Sequence, residues 1–111
     1  GMKLENTVAC AIQKEIHFRE DCFGEERKLY YLRNKDGKEV DFCIATNGIP
    51  SLMVEVKWRD ANQSPNFEIF RKFFPQAKMV QITKELSKEK TFPNGVEIRL
   101  AHKWLAKFSL P

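Results

Sequence analysis

The sequence has no apolar run long enough to cross a membrane and no signal-peptide pattern. It also lacks a glycine-rich phosphate loop, which excludes a built-in nucleotide-hydrolysing module of that type. No cysteines stand in a Cys-x-x-Cys pair, and the odd total of three, Cys10, Cys22 and Cys43, leaves at least one unpaired. Reduced thiols and a cytoplasmic location fit that usage best. Cys10, His17 and Cys22 match no common zinc module. Repeats, linkers and low-complexity segments are missing too, so residues 1–111 are expected to form a single domain. Gly1 before Met2 reads as a remnant of an expression tag.

Apolar content is ordinary for a globular chain, so a normal core is expected. The net charge of +4 permits nucleic acid as a partner without requiring it. Lysine and arginine are spread along the chain, which by itself describes a solvated, mixed-charge surface.

The most informative stretch runs from Asp41 to Trp58 and reads as two strands and a turn. Side chains two apart on a strand share a face. Glu55 and Lys57 therefore lie together, with Leu52, Val54, Val56 and Trp58 opposite. On the partner strand Val40, Phe42 and Ile44 take one face, and Asp41 and Cys43 the other. A two-residue Asn47-Gly48 loop would pair Asp41 with Val54; a loop with an odd number of residues puts Asp41 opposite Glu55. The odd loop is the expectation. Two acids and a lysine then crowd one half-buried patch, which is costly unless something binds there, and the natural guest is a divalent cation held by carboxylate oxygens. A cross-strand salt-bridge ladder is the other reading of these residues.

Leu4 to Arg19 has helical periodicity, with Leu4, Val8, Ala11, Ile12, Glu15 and Ile16 on or beside one stripe. Glu5 stands at the edge of that stripe, where it either complements the helix dipole or leans toward the acidic patch. A polar, glycine-containing loop should follow. Lys28–Arg33 reads as a strand, Asn34-Lys35-Asp36-Gly37 as a hairpin turn, and Lys38–Thr46 and Pro50–Trp58 as the next two strands. Ser64-Pro65 starts a short helix rich in phenylalanine that Pro75 stops. Lys78–Thr83 is a strand, Lys84–Asn94 a charged loop, Val96–Leu100 a short strand and His102–Phe108 a terminal helix. The predicted class is α/β, a mixed central sheet flanked by helices, with the third and fourth strands parallel across a helical crossover.

An acid in the first helix, Asp41 on the second strand and Glu55-Val56-Lys57 on the third resemble the PD-(D/E)XK nuclease superfamily. The resemblance implies a restriction-endonuclease-like α-β-β-β-α-β core over residues 3 to 83. Leu4-Glu5-Asn6-Thr7-Val8-Ala9, Tyr30 to Phe42, Val54 to Trp58, Gly95-Val96-Glu97-Ile98 and Trp104-Leu105 are more specifically similar to the C-terminal nuclease-like domain of bacterial and archaeal AAA-type ATPases. The ATPase itself is absent, so the chain is expected to be an excised domain or a short gene product. Val40 precedes Asp41 where the superfamily's name has proline.

The resemblance implies that Asp41 and Glu55 hold Mg²⁺ or Mn²⁺, helped by the Val56 carbonyl and by Glu5 directly or through water. Lys57 would position or help activate the attacking water and stabilise charge on the phosphate. A lysine flanked by two carboxylates serves better as a fixed positive charge than as a free base. The implied function is a metal-dependent nuclease acting on nucleic acid, DNA first. The competing functions are a catalytically silent module that associates with an AAA-type ATPase or forms a homodimer, and a phosphodiester hydrolase acting on something other than nucleic acid. Lys14, Arg59, Arg71, Lys72, Lys84, Lys88 and Lys90 are candidates for contacts to a phosphate backbone.

Overall fold

The computed structural model describes residues 2–33, 37 and 39–108. Its elements are α1 (Met2–Phe23), β1 (Arg27–Arg33), β2 (Glu39–Thr46), β3 (Ile49–Lys57), α2 (Asn66–Arg71), β4 (Lys78–Thr83), β5 (Lys90–Thr91), β6 (Glu97–Leu100) and α3 (Ala101–Lys107). The strands form one six-stranded sheet in the order β1-β2-β3-β4-β6-β5. The β1-β2-β3 meander is antiparallel, and β3, β4 and β6 run parallel to one another. The class is thus mixed α/β, with helices covering both faces of the sheet.

Alternation along the strands divides the core into two layers. Val8, Ile12 and Ile16 of α1 pack with Phe42, Ile44, Leu52, Val54, Val56, Val80 and Ile82, and α3 adds Ala101, Trp104 and Leu105. On the other face Phe67 and Phe70 of α2 meet Val40, Cys43, Met53, Met79 and Val96. The helical stripe and the β3 alternation read from the sequence match these layers, except that Trp58, expected with Leu52, Val54 and Val56, lies past the end of β3, exposed and in neither layer. The first helix runs on to Phe23, past the expected stop at Arg19. Gly24 ends it, with a positive φ of 66° and its N–H donating to the Glu20 carbonyl at 3.0 Å.

Three expectations need correction. Lys90–Thr91, read as part of a loop, is a short strand pairing antiparallel with β6. Val40, expected beside Phe42 and Ile44, lies on the α2 side with Cys43. The connection between β2 and β3 is the two-residue Asn47-Gly48 turn, flanked by the pair Thr46↔Ile49. Both turn residues have positive φ, 52° at Asn47 and 82° at Gly48, as a turn matching the strand twist requires. Most of the predicted Asn34–Gly37 turn lies outside the described residues.

A two-residue turn alone would have put Asp41 and Glu55 on opposite faces. A β-bulge at Ser51 restores the parity. Ala45 pairs with Pro50 but Ile44 pairs with Leu52, so Ser51 is the extra residue. Its hydroxyl donates to the Ile44 carbonyl at 3.1 Å and shares a hydrogen bond with Thr46 Oγ1 at 3.0 Å. The turn tolerates little: Gly48→Ala forces a Cβ into left-handed backbone and is expected to cost about 1 kcal/mol, read as a lowered chemical-denaturation midpoint.

Candidate functional site

A second bulge shapes the far end of β2. Tyr30 pairs with Cys43 and Leu32 with Val40, so Phe42 and Asp41 together oppose Tyr31. This extra residue is why Val40 changes face. It also marks where β2 leaves β3: the last β2–β3 pair is Phe42↔Val54, and the next positions along are Asp41 and Glu55. Asp41 bridges the opening with its side chain, as the Val56 N–H donates to Asp41 Oδ2 at 2.8 Å. The N–H and C=O of one strand residue point to the same side. The Val56 carbonyl therefore faces the same opening.

Glu55 sits in the α2 layer with only 3% of its side chain exposed. Asn66, the first residue of α2, donates from Nδ2 to Glu55 Oε1 at 3.2 Å. The other oxygen, Oε2, is buried and accepts no hydrogen bond. Lys57 Nζ stands 3.5 Å away from it, too long for a charge-assisted hydrogen bond, while the lysine side chain remains 39% exposed. A buried carboxylate oxygen with one loose ion pair is under-satisfied and has room for a stronger electrostatic partner.

The floor beside Glu55 is built by Gln81, its neighbour across β3 and β4 and fully buried. Gln81 Oε1 accepts the Ser64 N–H at 2.8 Å, and Nε2 donates to the carbonyls of Asn62 at 2.8 Å and Asp60 at 3.2 Å. Thr83 adds a hydrogen bond to the Asp60 carbonyl at 3.3 Å. These bonds fix the connector leading into α2. Ser64 Oγ then accepts the Asn66 N–H at 3.2 Å, which sets the residue that touches Glu55.

The structure therefore places Asp41, Glu55, Val56 and Lys57 at one edge, on the C-terminal side of β3. Glu5 belongs to α1, whose core residues pack on the opposite face of the sheet. Among the described residues no three His, Cys, Asp or Glu side chains converge closely enough to hold a metal ion. Two carboxylates and a carbonyl still suit magnesium, which takes one or two carboxylates and keeps several waters. Asn66 was not expected at this edge as a site residue. The signal for Asn66 was its position just after the Ser64-Pro65 helix start.

Among the described residues the cations do not gather into one stripe. Arg59 pairs with Glu85 at 2.8 Å, Arg71 with Glu68 at 3.6 Å, and Lys90 lies 5.0 Å from the Phe92 ring centroid. A cavity of about 350 Å³ between α3 and the sheet is lined by Leu52, Lys78, Val80 and Trp104 and does not include the Asp41–Lys57 edge.

Cys43, on the α2 side, is buried, whereas Cys10 and Cys22 are exposed. Burial pushes the Cys43 thiol from its ordinary 9.0 up to about 11. The native state thus keeps a proton that the unfolded chain releases. The Cys43 contribution to stability is full below pH 9 and is lost as the pH rises through 11. At pH 8 a thiol reagent is expected to label Cys10 and Cys22 and to spare Cys43 until the chain unfolds, as read by mass spectrometry.

A family model described as a domain of unknown function (DUF4143) matches residues 1–100. That family is often found at the C terminus of AAA-type ATPases. No curated protein and no solved structure matches the chain. No helix among the described residues is long and apolar enough to cross a membrane.

Proposed function

We propose that this chain, which belongs to the DUF4143 family, is a metal-dependent nuclease of the PD-(D/E)XK kind that hydrolyses nucleic-acid phosphodiesters. The observation that carries the reading is the buried Glu55 Oε2, with no hydrogen bond, at an edge it shares with Asp41 and Lys57. A structural salt bridge would satisfy that oxygen; a site that takes a cation leaves it open. Asp41 and Glu55 would hold Mg²⁺ or Mn²⁺, with the Val56 carbonyl on the same side of β3. Glu5 would act through water. The bound ion would supply an activated water and offset charge on the phosphate.

The remaining chemistry belongs to the chain. Lys57 reaches from solvent toward Glu55, so its ammonium can meet a phosphate oxygen arriving at the edge and hold the developing negative charge. Asn66 holds Glu55 Oε1 and leaves Oε2 as the free ligand atom. Asp41, by accepting the Val56 N–H through one oxygen, fixes the orientation of the other. An AAA-type ATPase is the protein partner we propose, on the strength of where the family is often found.

Mn²⁺ titrated calorimetrically into the wild type is expected to bind, and Asp41→Asn or Glu55→Gln to weaken it by roughly tenfold or more. Equal binding by all three proteins would remove these acids from the metal site.

A further inference from the structure

We infer that the cavity between α3 and the sheet is a binding site for a small aromatic phosphomonoester, its phosphate held by Lys103 and Lys107 and its ring by an apolar wall. The cavity measures about 350 Å³, a volume within the range of small-molecule sites. Its floor is Leu52 and Val80, which belong to the core layer under α1 and α3. Glu55 lies in the other layer, against α2, and no residue is shared with the Asp41–Lys57 edge. The site therefore stands independently of the nuclease reading. Trp104 and Phe108 form the wall. Their rings stack with centroids 4.3 Å apart and planes 29° from parallel. Both are only partly buried, so a flat apolar guest can extend the contact.

Four cations and two acids line the cavity, and they differ in what holds them. Glu97 is fixed between Lys78 Nζ at 3.3 Å and Arg99 Nη2 at 3.0 Å. The Arg99 guanidinium also donates to the Lys90 carbonyl at 2.9 Å and to Thr91 Oγ1 at 2.8 Å. Glu89 Oε2 accepts the Leu100 N–H at 2.9 Å, where α3 begins. Both acids are thus occupied within the fold. Lys103 and Lys107 are exposed and make no ion pair among the described residues. They stand one helical turn apart on α3, so both ammonium groups can reach one guest at the cavity mouth. The lining carries two more positive than negative charges. A phosphomonoester carries about −1.5 to −2 near neutral pH, which matches that excess; a carboxylate meets half of it. Phosphate alone leaves the apolar wall uncovered, and a neutral ring leaves the lysines unmatched. Nucleoside monophosphates and simple aryl phosphates share the chemistry that satisfies both.

The test is a titration in EDTA, followed by proton–nitrogen correlation NMR of the indole N–H groups. The sequence has two tryptophans, Trp58 and Trp104, and Trp58→Phe assigns their signals. The probes are adenosine monophosphate, phenyl phosphate, adenosine, inorganic phosphate and octanoate. At least one of the two phosphate esters is expected to shift the Trp104 signal saturably and to leave that of Trp58 in place. It should bind roughly tenfold or more tightly than adenosine, inorganic phosphate or octanoate, which each lack one half of the match. Comparing the two esters separates a nucleotide from other aromatic phosphates. Lys103→Ala combined with Lys107→Ala changes two exposed positions and should weaken binding by about tenfold with the fold intact. The inference is overturned if neither ester moves the Trp104 signal, or if both indoles move alike. It is also overturned if octanoate or inorganic phosphate binds as tightly as the esters, or if the double variant binds like wild type.

Discussion

Asp41→Asn is expected to reduce metal-dependent cleavage by roughly 10²–10³-fold while leaving the fold nearly as stable as wild type. The asymmetry comes from the hydrogen bond at the strand opening. An asparagine carbonyl oxygen can still accept the Val56 N–H, so the contact at 2.8 Å survives while the negative charge does not. Asp41→Ala removes both and should add a stability loss of about 1 kcal/mol. Lys57→Ala is expected to lower cleavage by a similar factor. It also leaves the buried Glu55 without its ion pair, so folding must be followed alongside activity. Protection of Cys43 from thiol reagents supplies that control, since this thiol is buried only in the native state. A loss of cleavage with Cys43 still protected is a loss of chemistry.

The largest expected effect on stability comes from Gln81→Ala, on the order of 3 kcal/mol. Gln81 is fully buried, so truncation opens a cavity beneath the connector. It also strips partners from the Ser64 N–H and from the Asp60 and Asn62 carbonyls. Thr83 still bonds Asp60, which keeps the loss below that of a fully released loop. The consequence reaches the site, because Ser64 orders Asn66 and Asn66 holds Glu55. Gln81→Ala should therefore weaken Mn²⁺ binding even though Gln81 provides no ligand. Chemical denaturation gives the first effect and calorimetric titration the second.

Much of the fold was legible because burial enforces periodicity. The α1 stripe, the β3 alternation and the parallel β3–β4 pair all follow from apolar spacing and from a helix between two strands. Irregular backbone was not legible. Asn47-Gly48 is a strong two-residue turn signal, yet the bulge at Ser51 restores the face relation of Asp41 to Glu55 that the odd loop was expected to give. The two acids are the positions just beyond the last pair, Phe42↔Val54, and are not themselves paired. Nothing in the residue pattern announces a bulge at Ser51 or at Asp41–Phe42, since both depend on hydrogen bonds formed only after the strands meet. The same reason hides the role of Gln81, a polar residue between Val80 and Ile82 that satisfies a loop distant in sequence.

Hydrolysis of phosphodiesters by the Asp41–Glu55–Lys57 edge with a divalent metal is tested by cleavage of a labelled panel of duplex, single-stranded and branched DNA and of RNA, in EDTA, Mg²⁺ and Mn²⁺. Wild type, Asp41→Asn and Lys57→Ala would be assayed side by side. Cutting is expected in Mg²⁺ or Mn²⁺, none in EDTA, and loss in both variants with the fold intact. Cutting that persists unchanged in the variants, or a folded wild type that cuts nothing in either metal, would contradict it.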